Sequence, residues 1–330
     1  MNWNMIGHEW AVQLLQGHIK NNALRHAYII TGPRSIGKKN LSLKFIQTIF
    51  CQKSGENGDP CFECSACQRL GRLEHPDLFP ISVEEGSSKI KVDQVRELIH
   101  SLSLSPYEAK NRIGLIIDIE HASISTQNAL LKTLEEPPKP VILILTASSV
   151  DSVLETIISR CEEIKLNTVP SRIIRQGLEE LYQVPADQAK LLAHISGGKP
   201  ELALTYHQDS SALERRSTLL DDHLNILAGN SVDRFAYASQ ITSNPHQVQE
   251  LLNLWFSIWH DVMIQAGNAQ SPITNIDREE DLKKILKEID LPTAMRSLGL
   301  FKRAQGLIKK NANLKLTIED LMLQLPQLQP

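Results

Sequence analysis

The segment Gly32–Lys39 places two glycines, a proline and two lysines between a short apolar run and a helical apolar pattern. The run His26–Thr31 is apolar without alternation, which predicts a strand covered on both faces. Helical spacing of apolar side chains follows the loop at Leu41, Phe45, Ile46 and Ile49. A buried strand joined to a helix through a glycine turn is typical of α/β proteins, so this unit constrains the N-terminal part of the chain to that class.

The same alternation of strands and helices continues to about residue 168. Four more short strands are predicted, at Leu78–Ile81, Ile113–Ile117, Val141–Thr146 and Ile164–Leu166. Three more helices are predicted: Trp10–Lys20, a segment capped by Asp93 that carries Val95–Leu102, and Gln127–Leu134. The pattern predicts one parallel α/β sheet over residues 1–168.

After Val169-Pro170 the composition changes and the sequence predicts helices alone. Three short ones are expected at Arg172–Tyr182, Ala186–Ile195 and Lys199–His207, and long amphipathic helices follow from about residue 212. One of these starts at Asn244-Pro245, with the proline at the first helical position. It carries an apolar stripe that predicts the core of a helical bundle, namely Val248, Leu251, Leu252, Trp255, Phe256, Trp259, Val262 and Met263.

Length and composition exclude several classes of protein. The 330 residues allow two or three domains, and 42% apolar with 22% charged residues indicates a globular chain. The net charge of −3 argues against a general nucleic-acid coat, although residues 1–50 hold six basic groups and one acidic group. Apolar runs are far shorter than the roughly 18 residues of a membrane span, and the first residues do not predict an export signal. We therefore expect a cytoplasmic protein with reduced thiols and no membrane partner.

The loop fits the phosphate-binding pattern G-x-x-x-x-G-K at Gly32, Gly37 and Lys38. In such loops backbone N–H groups cradle phosphates, the lysine reaches the terminal ones, and a following hydroxyl helps to hold Mg²⁺. Here Lys39 replaces that hydroxyl and would repel a cation. Two interpretations stay open for the loop: weak binding of ATP or ADP, and a vestigial turn that joins a strand to a helix.

Asp118 directly follows the strand predicted at Ile113–Ile117. A nucleotide hydrolase of this type ends that strand with Asp-Glu, one carboxylate for Mg²⁺ and one that activates water. Ile119 occupies the second position and Glu120 comes one residue later. The missing glutamate is a second departure from the hydrolase pattern, after Lys39. We therefore expect no efficient ATP hydrolysis by the chain.

Four of the five cysteines form the pattern C-x₉-C-x₂-C-x₂-C at Cys51, Cys61, Cys64 and Cys67. Four thiolates at this spacing complete a tetrahedral Zn²⁺ site. A structural metal would stabilise a loop module that is too small to build a core of its own. The alternatives are an iron–sulfur cluster, for which the ferredoxin run is missing, and thiol redox chemistry, for which the thioredoxin context is missing.

Several motifs together resemble the bacterial clamp-loader ATPases of the AAA+ superfamily. The matching segments are His26–Pro33, the four-cysteine loop, Ile90–Leu98, Asn128–Pro138, Ser159–Cys161 and, near the C-terminus, Asn311–Leu321. The resemblance implies a RecA-like domain over residues 1–168 with a zinc module at about 50–72. It further implies a three-helix lid over 169–210 and a helical collar domain for oligomerisation over 211–330. A heteropentamer with a delta subunit and three motor subunits is also implied, acting on a sliding clamp and primed DNA.

In that family the Ser-Arg-Cys motif supplies an arginine finger, which implies that Arg160 reaches into the ATP site of a neighbouring motor subunit. The chain departs from motor subunits at Lys39, at the residue after Asp118, and at Glu201, where motor lids carry a nucleotide-sensing arginine. These departures favour a non-motor, stator role. The alternatives are an active motor ATPase and a stand-alone zinc protein that binds nucleic acid through its basic first fifty residues.

Overall fold

The computed structural model describes residues 3–55, 58–138, 140–310 and 312–328, and for His246 the backbone alone. The described residues form two compact units. One contains the chain up to Val184 together with Gly198–Leu202, and the other contains Pro185–Gly197 together with the chain from Ala203 onward. The predicted division at residues 168 and 210 into three domains stays a prediction, and Asn311 of the collar motif lies outside the described residues.

The first unit is built on a five-stranded sheet in which every described pairing is parallel. Its strands are β1 (Ala27–Thr31), β2 (Leu78–Ile81), β3 (Arg112–Ile116), β4 (Val141–Ala147) and β5 (Glu162–Lys165). They lie in the order β2-β3-β4-β1-β5. Every residue of β1, β3 and β4 is buried, which confirms the strands expected to be covered on both faces.

Two apolar layers cover the sheet. The helices of this unit are α1 (Glu9–Lys20), α2 (Lys38–Phe50), α3 (Ser65–Gly71), α4 (Val92–Ser103), α5 (Ile124–Asn128), α6 (Leu131–Glu135), α7 (Glu155–Ile158) and α8 (Ser171–Tyr182). Successive residues of β1 enter opposite layers, because side chains alternate along a strand. Tyr28 and Ile30 join the layer formed with α1 and α2, whereas Ile29 joins the layer formed with α4, α6 and α7.

Two details of the helices differ from the sequence prediction. The helix expected over Gln127–Leu134 is two helices, α5 and α6, because the N–H of Leu130 bonds to the carbonyl of Gln127, which tightens the chain into a 3₁₀-type turn. The predicted cap Asp93 lies inside the first turn of α4. Lys91 precedes that helix instead, and its N–H donates to the side-chain oxygen of Gln94 at 2.8 Å.

The described part of the chain after β5 contains helices and no strand, as predicted. The remaining helices are α9 (Ala186–Ile195), α10 (Pro200–Gln208), α11 (Ser210–Ala228), α12 (Ser231–Ile241), α13 (Pro245–Ala266), α14 (Glu279–Leu286), α15 (Leu291–Lys309) and α16 (Leu314–Gln324). The predicted stripe on α13 packs in the core of the second unit, with Trp255 and Trp259 fully buried beside Phe301. Within the described residues, every helix is too short or too polar to span a membrane.

Arg234 ties the ends of two helices together in the second unit. Its buried guanidinium donates to the carbonyl oxygens that close α11 and α16, those of Ile226, Leu227, Met322, Leu325 and Pro326. The last carbonyls of a helix have no partner within the helix, and a cation is stabilising at that end. One side chain therefore satisfies the C-terminal ends of both helices.

Asp77, just before β2, is the most enclosed carboxylate of the first unit, with no exposed surface. Its oxygens accept hydrogen bonds from the backbone N–H groups of Tyr107, Glu108 and Ala109 at 2.7, 2.9 and 2.9 Å, and Arg112 Nε lies 3.6 Å away. Burial alone would raise the pKa of Asp77, but the three N–H donors and Arg112 outweigh it, so the pKa is lowered. The charged carboxylate therefore holds the loop before β3 in place.

We predict that Asp77→Asn lowers the free energy of unfolding at pH 7 by about 2–4 kcal/mol, because a charged acceptor is lost while its donors stay buried. The pKa of Asp77 is lower in the folded chain, so its stabilisation is present above the unfolded pKa of about 4 and is lost as the pH falls through the folded value. Urea unfolding between pH 7 and pH 3 should show the stability curves of the wild type and the Asp77→Asn variant converging toward acid.

The matched control is Asp93→Asn on the exposed face of α4, where the carboxylate contacts Arg96 at 3.2 Å in an exposed pair. We expect this change to cost less than about 1 kcal/mol. An equal loss from both substitutions, or a loss at Asp77 that does not vary with pH, would contradict the role assigned to the Asp77 charge.

Candidate functional site

The predicted phosphate loop runs from the end of β1 to the start of α2, at the carboxyl edge of the sheet. Gly32 has no space for a side chain, since a Cβ there would lie 2.5 Å from the carbonyl oxygen of Leu166. Gly37 precedes α2 with a φ of 105°, which an L side chain rarely adopts. Both glycines are therefore required by the backbone of the loop, whether or not a phosphate binds there.

Lys38 is buried and folds back onto the loop. Its ammonium donates to the carbonyl oxygens of Gly32 at 2.9 Å and Pro33 at 3.0 Å. Burial lowers the pKa of Lys38, against the opposing effect of Asp118, Glu120 and Glu201. The lysine that would reach a phosphate is thus engaged with the chain's own carbonyls, close enough to three acids for their charge to affect it.

The carboxylates after β3 connect that strand to the end of β4. Asp118 has a φ of 54°, and its N–H donates to Thr146 Oγ1 at 2.8 Å. Glu120 Oε1 accepts a hydrogen bond from the N–H of Ser148 at 3.0 Å, and within the described residues its buried Oε2 has no hydrogen-bond partner. Lys39 is exposed on the first turn of α2 and offers no hydroxyl. The predicted residues Gly32, Gly37, Lys38 and Asp118 share one edge of the sheet, but no Mg²⁺-binding hydroxyl stands at the Lys39 position.

The four predicted cysteines come together where α2 ends and α3 begins. The Sγ atoms of Cys51, Cys61, Cys64 and Cys67 all lie within 4.8 Å of one another. The N–H of Cys61 points at Cys51 Sγ and that of Cys64 at Cys61 Sγ, each at 3.3 Å, which stabilises thiolates. Four close sulfurs supported by N–H donors can hold a metal ion, and the donor set suits Zn²⁺.

The cysteine cluster is attached to α2 by contacts outside the sulfurs. Gln47, buried on α2, donates from Nε2 to the carbonyl of Cys67 at 2.9 Å. Lys44 Nζ lies over the ring of Phe62 at 4.0 Å from its centroid, and the rings of Phe50 and His75 have centroids 4.8 Å apart and planes tilted by 43°. The small cluster has few apolar residues of its own, so a metal would supply much of its cohesion.

Arg160 follows the one-turn helix α7 and is about one-third exposed. Its Nη2 lies 2.7 Å from Glu135 Oε1 at the end of α6, and its Nη1 donates to the carbonyl of Thr156 at 2.8 Å. The guanidinium is therefore held at the surface between two elements, without being buried.

Gln127 fixes the start of α7. This buried side chain accepts from the N–H of Leu154 at 2.9 Å and donates to the carbonyl of Ala122 at 3.1 Å. Because α7 is four residues long, its start determines where Arg160 lies at its end. Sequence reasoning missed both Gln127 and Glu135. Pro137-Pro138 indicates where α6 ends but not that Glu135 contacts Arg160.

Comparison with known proteins supports one family. The sequence is 30% identical over 314 residues to DNA polymerase III subunit delta' of Pseudomonas aeruginosa, and the alignment covers 91% of each chain. The chain belongs to the DNA polymerase III delta-prime family. A family model described as DNA polymerase III, delta subunit, matches residues 7–170.

Two further similarities involve gamma subunits or a gamma-related protein. A solved structure of a DNA polymerase III gamma subunit-related protein from Thermotoga maritima is 18% identical, with a TM-score of 0.46, covering 94% of this chain and 97% of that one. DNA polymerase III subunit gamma of Buchnera aphidicola is 28% identical over 278 residues, which cover 79% of this chain and 74% of the relative. The sequence match to the Buchnera protein shows that this chain also has relatives among gamma subunits over most of its length.

We predict that Cys64→Ser releases the metal and destabilises the first unit, because three thiolates cannot complete the tetrahedral set. Metal analysis of protein purified under reducing conditions should find one Zn²⁺ in the wild type and much less in the variant. Thermal unfolding with and without a chelator gives the stability. Cys161→Ser, outside the cluster, is the control and should keep its zinc. A metal-free wild type, or one with the visible absorption of an iron–sulfur cluster, would refute the assignment.

Proposed function

We propose that this chain is a subunit of the DNA polymerase III clamp loader that does not hydrolyse ATP itself and supplies Arg160 to the ATP site of a neighbouring motor subunit. The observation that carries the proposal is a contrast within the first unit. The chain's own phosphate loop lacks the Mg²⁺ hydroxyl, whereas its arginine is intact at the surface.

The lack of hydrolysis is supported by three features at the edge of the sheet. Lys39 places a cation where Mg²⁺ would need an oxygen ligand. Lys38 is bonded to the carbonyls of its own loop, and Glu120 is bonded to the backbone of Ser148. Binding of a nucleotide would require Lys38 to exchange these carbonyls for phosphate oxygens, and the Lys39 position offers Mg²⁺ no hydroxyl.

The role of Arg160 is supported by its position and its chemistry. A guanidinium that enters a neighbouring phosphate site stabilises the charge of the transferring group, a contribution of ~10³–10⁵ in rate in comparable enzymes. Such a residue has to lie at the surface, on a segment whose position is fixed by the fold. The side chain is about one-third exposed, and Gln127 fixes the helix that carries it.

The four cysteines are proposed to hold a structural Zn²⁺. Four thiolates leave no open coordination position for catalysis, so the ion would hold the module against α2. The partners are proposed from the family: motor subunits and a delta subunit in a heteropentamer, and through that complex a sliding clamp and primed DNA.

The 28% sequence identity to DNA polymerase III subunit gamma of Buchnera aphidicola favours a second candidate function, an active motor ATPase. It requires that Mg²⁺ binds despite Lys39. Magnesium-dependent ATP turnover by the isolated chain, abolished by Lys38→Ala, would establish the motor role. The stator role requires no turnover by the isolated chain.

We predict that Arg160→Ala leaves the chain folded and able to assemble but lowers ATP turnover at the site it serves by about 10³-fold. The activity of that site is measured separately by reconstituting the complex with motor subunits whose own finger arginines are replaced by alanine. Turnover on primed DNA is then measured for wild type and variant. Arg175→Ala, an exposed arginine paired with Glu179 on α8, is the control and should not change turnover. Equal turnover by wild type and Arg160→Ala would refute the finger.

A further inference from the structure

Glu135 ends α6 with an exposed carboxylate that contacts Arg160. We propose that Glu135 is the positioning residue for Arg160: it holds the guanidinium in the orientation from which it enters the neighbouring subunit's site. This inference rests on the proposed function, since it assigns to Glu135 an effect that acts through the finger.

The contact geometry fixes the guanidinium at two points on different elements. Nη2 meets Glu135 Oε1 at 2.7 Å, and Nη1 meets the carbonyl of Thr156 at 2.8 Å and Ser159 Oγ at 3.3 Å. Two anchors on separate helices set both the location and the plane of the group. A guanidinium has five N–H donors, and within the described residues Nε has no acceptor. Donors therefore remain for a phosphate oxygen while the anchors are kept.

The energy of this pair is better suited to positioning than to stabilising the fold. The side chains are 34% and 52% exposed, and ion pairs this exposed contribute little to stability. A free arginine side chain samples many rotamers, and binding would otherwise have to remove that freedom. Ordering the side chain beforehand lowers that cost for the finger.

The neighbouring residue provides a matched control. Glu136 carries the same charge one position later, is exposed, and forms no described contact with Arg160. If negative charge at this end of α6 had a general effect on turnover, substitution of either glutamate would lower turnover. An effect that depends on the contact would appear at Glu135 alone.

The test uses the reconstituted complex with motor subunits that lack their own finger arginines. Six versions of this chain are compared: wild type, Glu135→Ala, Glu135→Gln, Glu136→Ala, Arg160→Ala and the Glu135→Ala/Arg160→Ala double variant. We expect Glu135→Ala to lower kcat by about two- to fivefold with an unchanged KM for ATP. Glu136→Ala should match wild type, and the double variant should match Arg160→Ala. Glu135→Gln keeps an acceptor and should recover part of the loss.

A second readout does not depend on turnover. Side-chain ¹⁵N NMR of Arg160 in the isolated chain reports rotation of the guanidinium, which should become faster in Glu135→Ala and stay unchanged in Glu136→Ala.

The outcomes separate the two proposals. If Arg160→Ala lowers turnover but Glu135→Ala does not, the finger stands and the positioning role is wrong. A loss from Glu135→Ala that persists in the Arg160→Ala background would also overturn it, because the effect would then not pass through the finger. If Arg160→Ala itself has no effect, the proposed function fails, and the positioning role fails with it.

Discussion

Burial of both faces of the parallel sheet is the constraint on which the rest of the first unit depends. Every residue of β1, β3 and β4 is enclosed, so these three strands make polar groups available only where they end. In a parallel sheet all carboxyl ends meet at one edge. This is why the loop after β1 and the acids after β3 lie together, although about 80 residues separate them in sequence.

The same edge shows how a phosphate loop can persist without its chemistry. Gly32 and Gly37 are needed by the backbone itself, through a close approach to Leu166 and a positive φ. Lys38 gains two carbonyl acceptors that compensate its burial. These residues therefore have structural reasons to remain, and the pattern G-x-x-x-x-G-K alone does not distinguish a working site from a retained turn.

The sequence predicted what depends on local pattern. Continuous apolar runs gave the buried strands, the cysteine spacing gave the cluster, and Asn244-Pro245 gave the start of α13. What it did not predict depends on contacts between distant segments. Asp77 binds N–H groups about thirty residues away, and Glu135 reaches Arg160 across twenty-five. Neither residue stands in a pattern whose spacing reveals its partner. The break between α5 and α6 is local, since the N–H of Leu130 bonds to the carbonyl of Gln127, but the apolar spacing across it stays helical and does not reveal it.

The two cations, Lys38 and Arg160, differ in what their charged groups contact. At the phosphate loop, Lys38 is satisfied inside its own chain, so a ligand there would have to displace existing hydrogen bonds. Arg160 is held at the surface by Glu135, Thr156 and Ser159 and keeps N–H donors free, so a further acceptor can bind it without displacing these contacts. Under the proposed function, the phosphate of an ATP bound to a neighbouring subunit would be that acceptor. Lys38 is therefore engaged by the carbonyls of its own loop, whereas Arg160 lies at the surface with N–H donors available, which favours the proposed role of Arg160 in a neighbouring subunit.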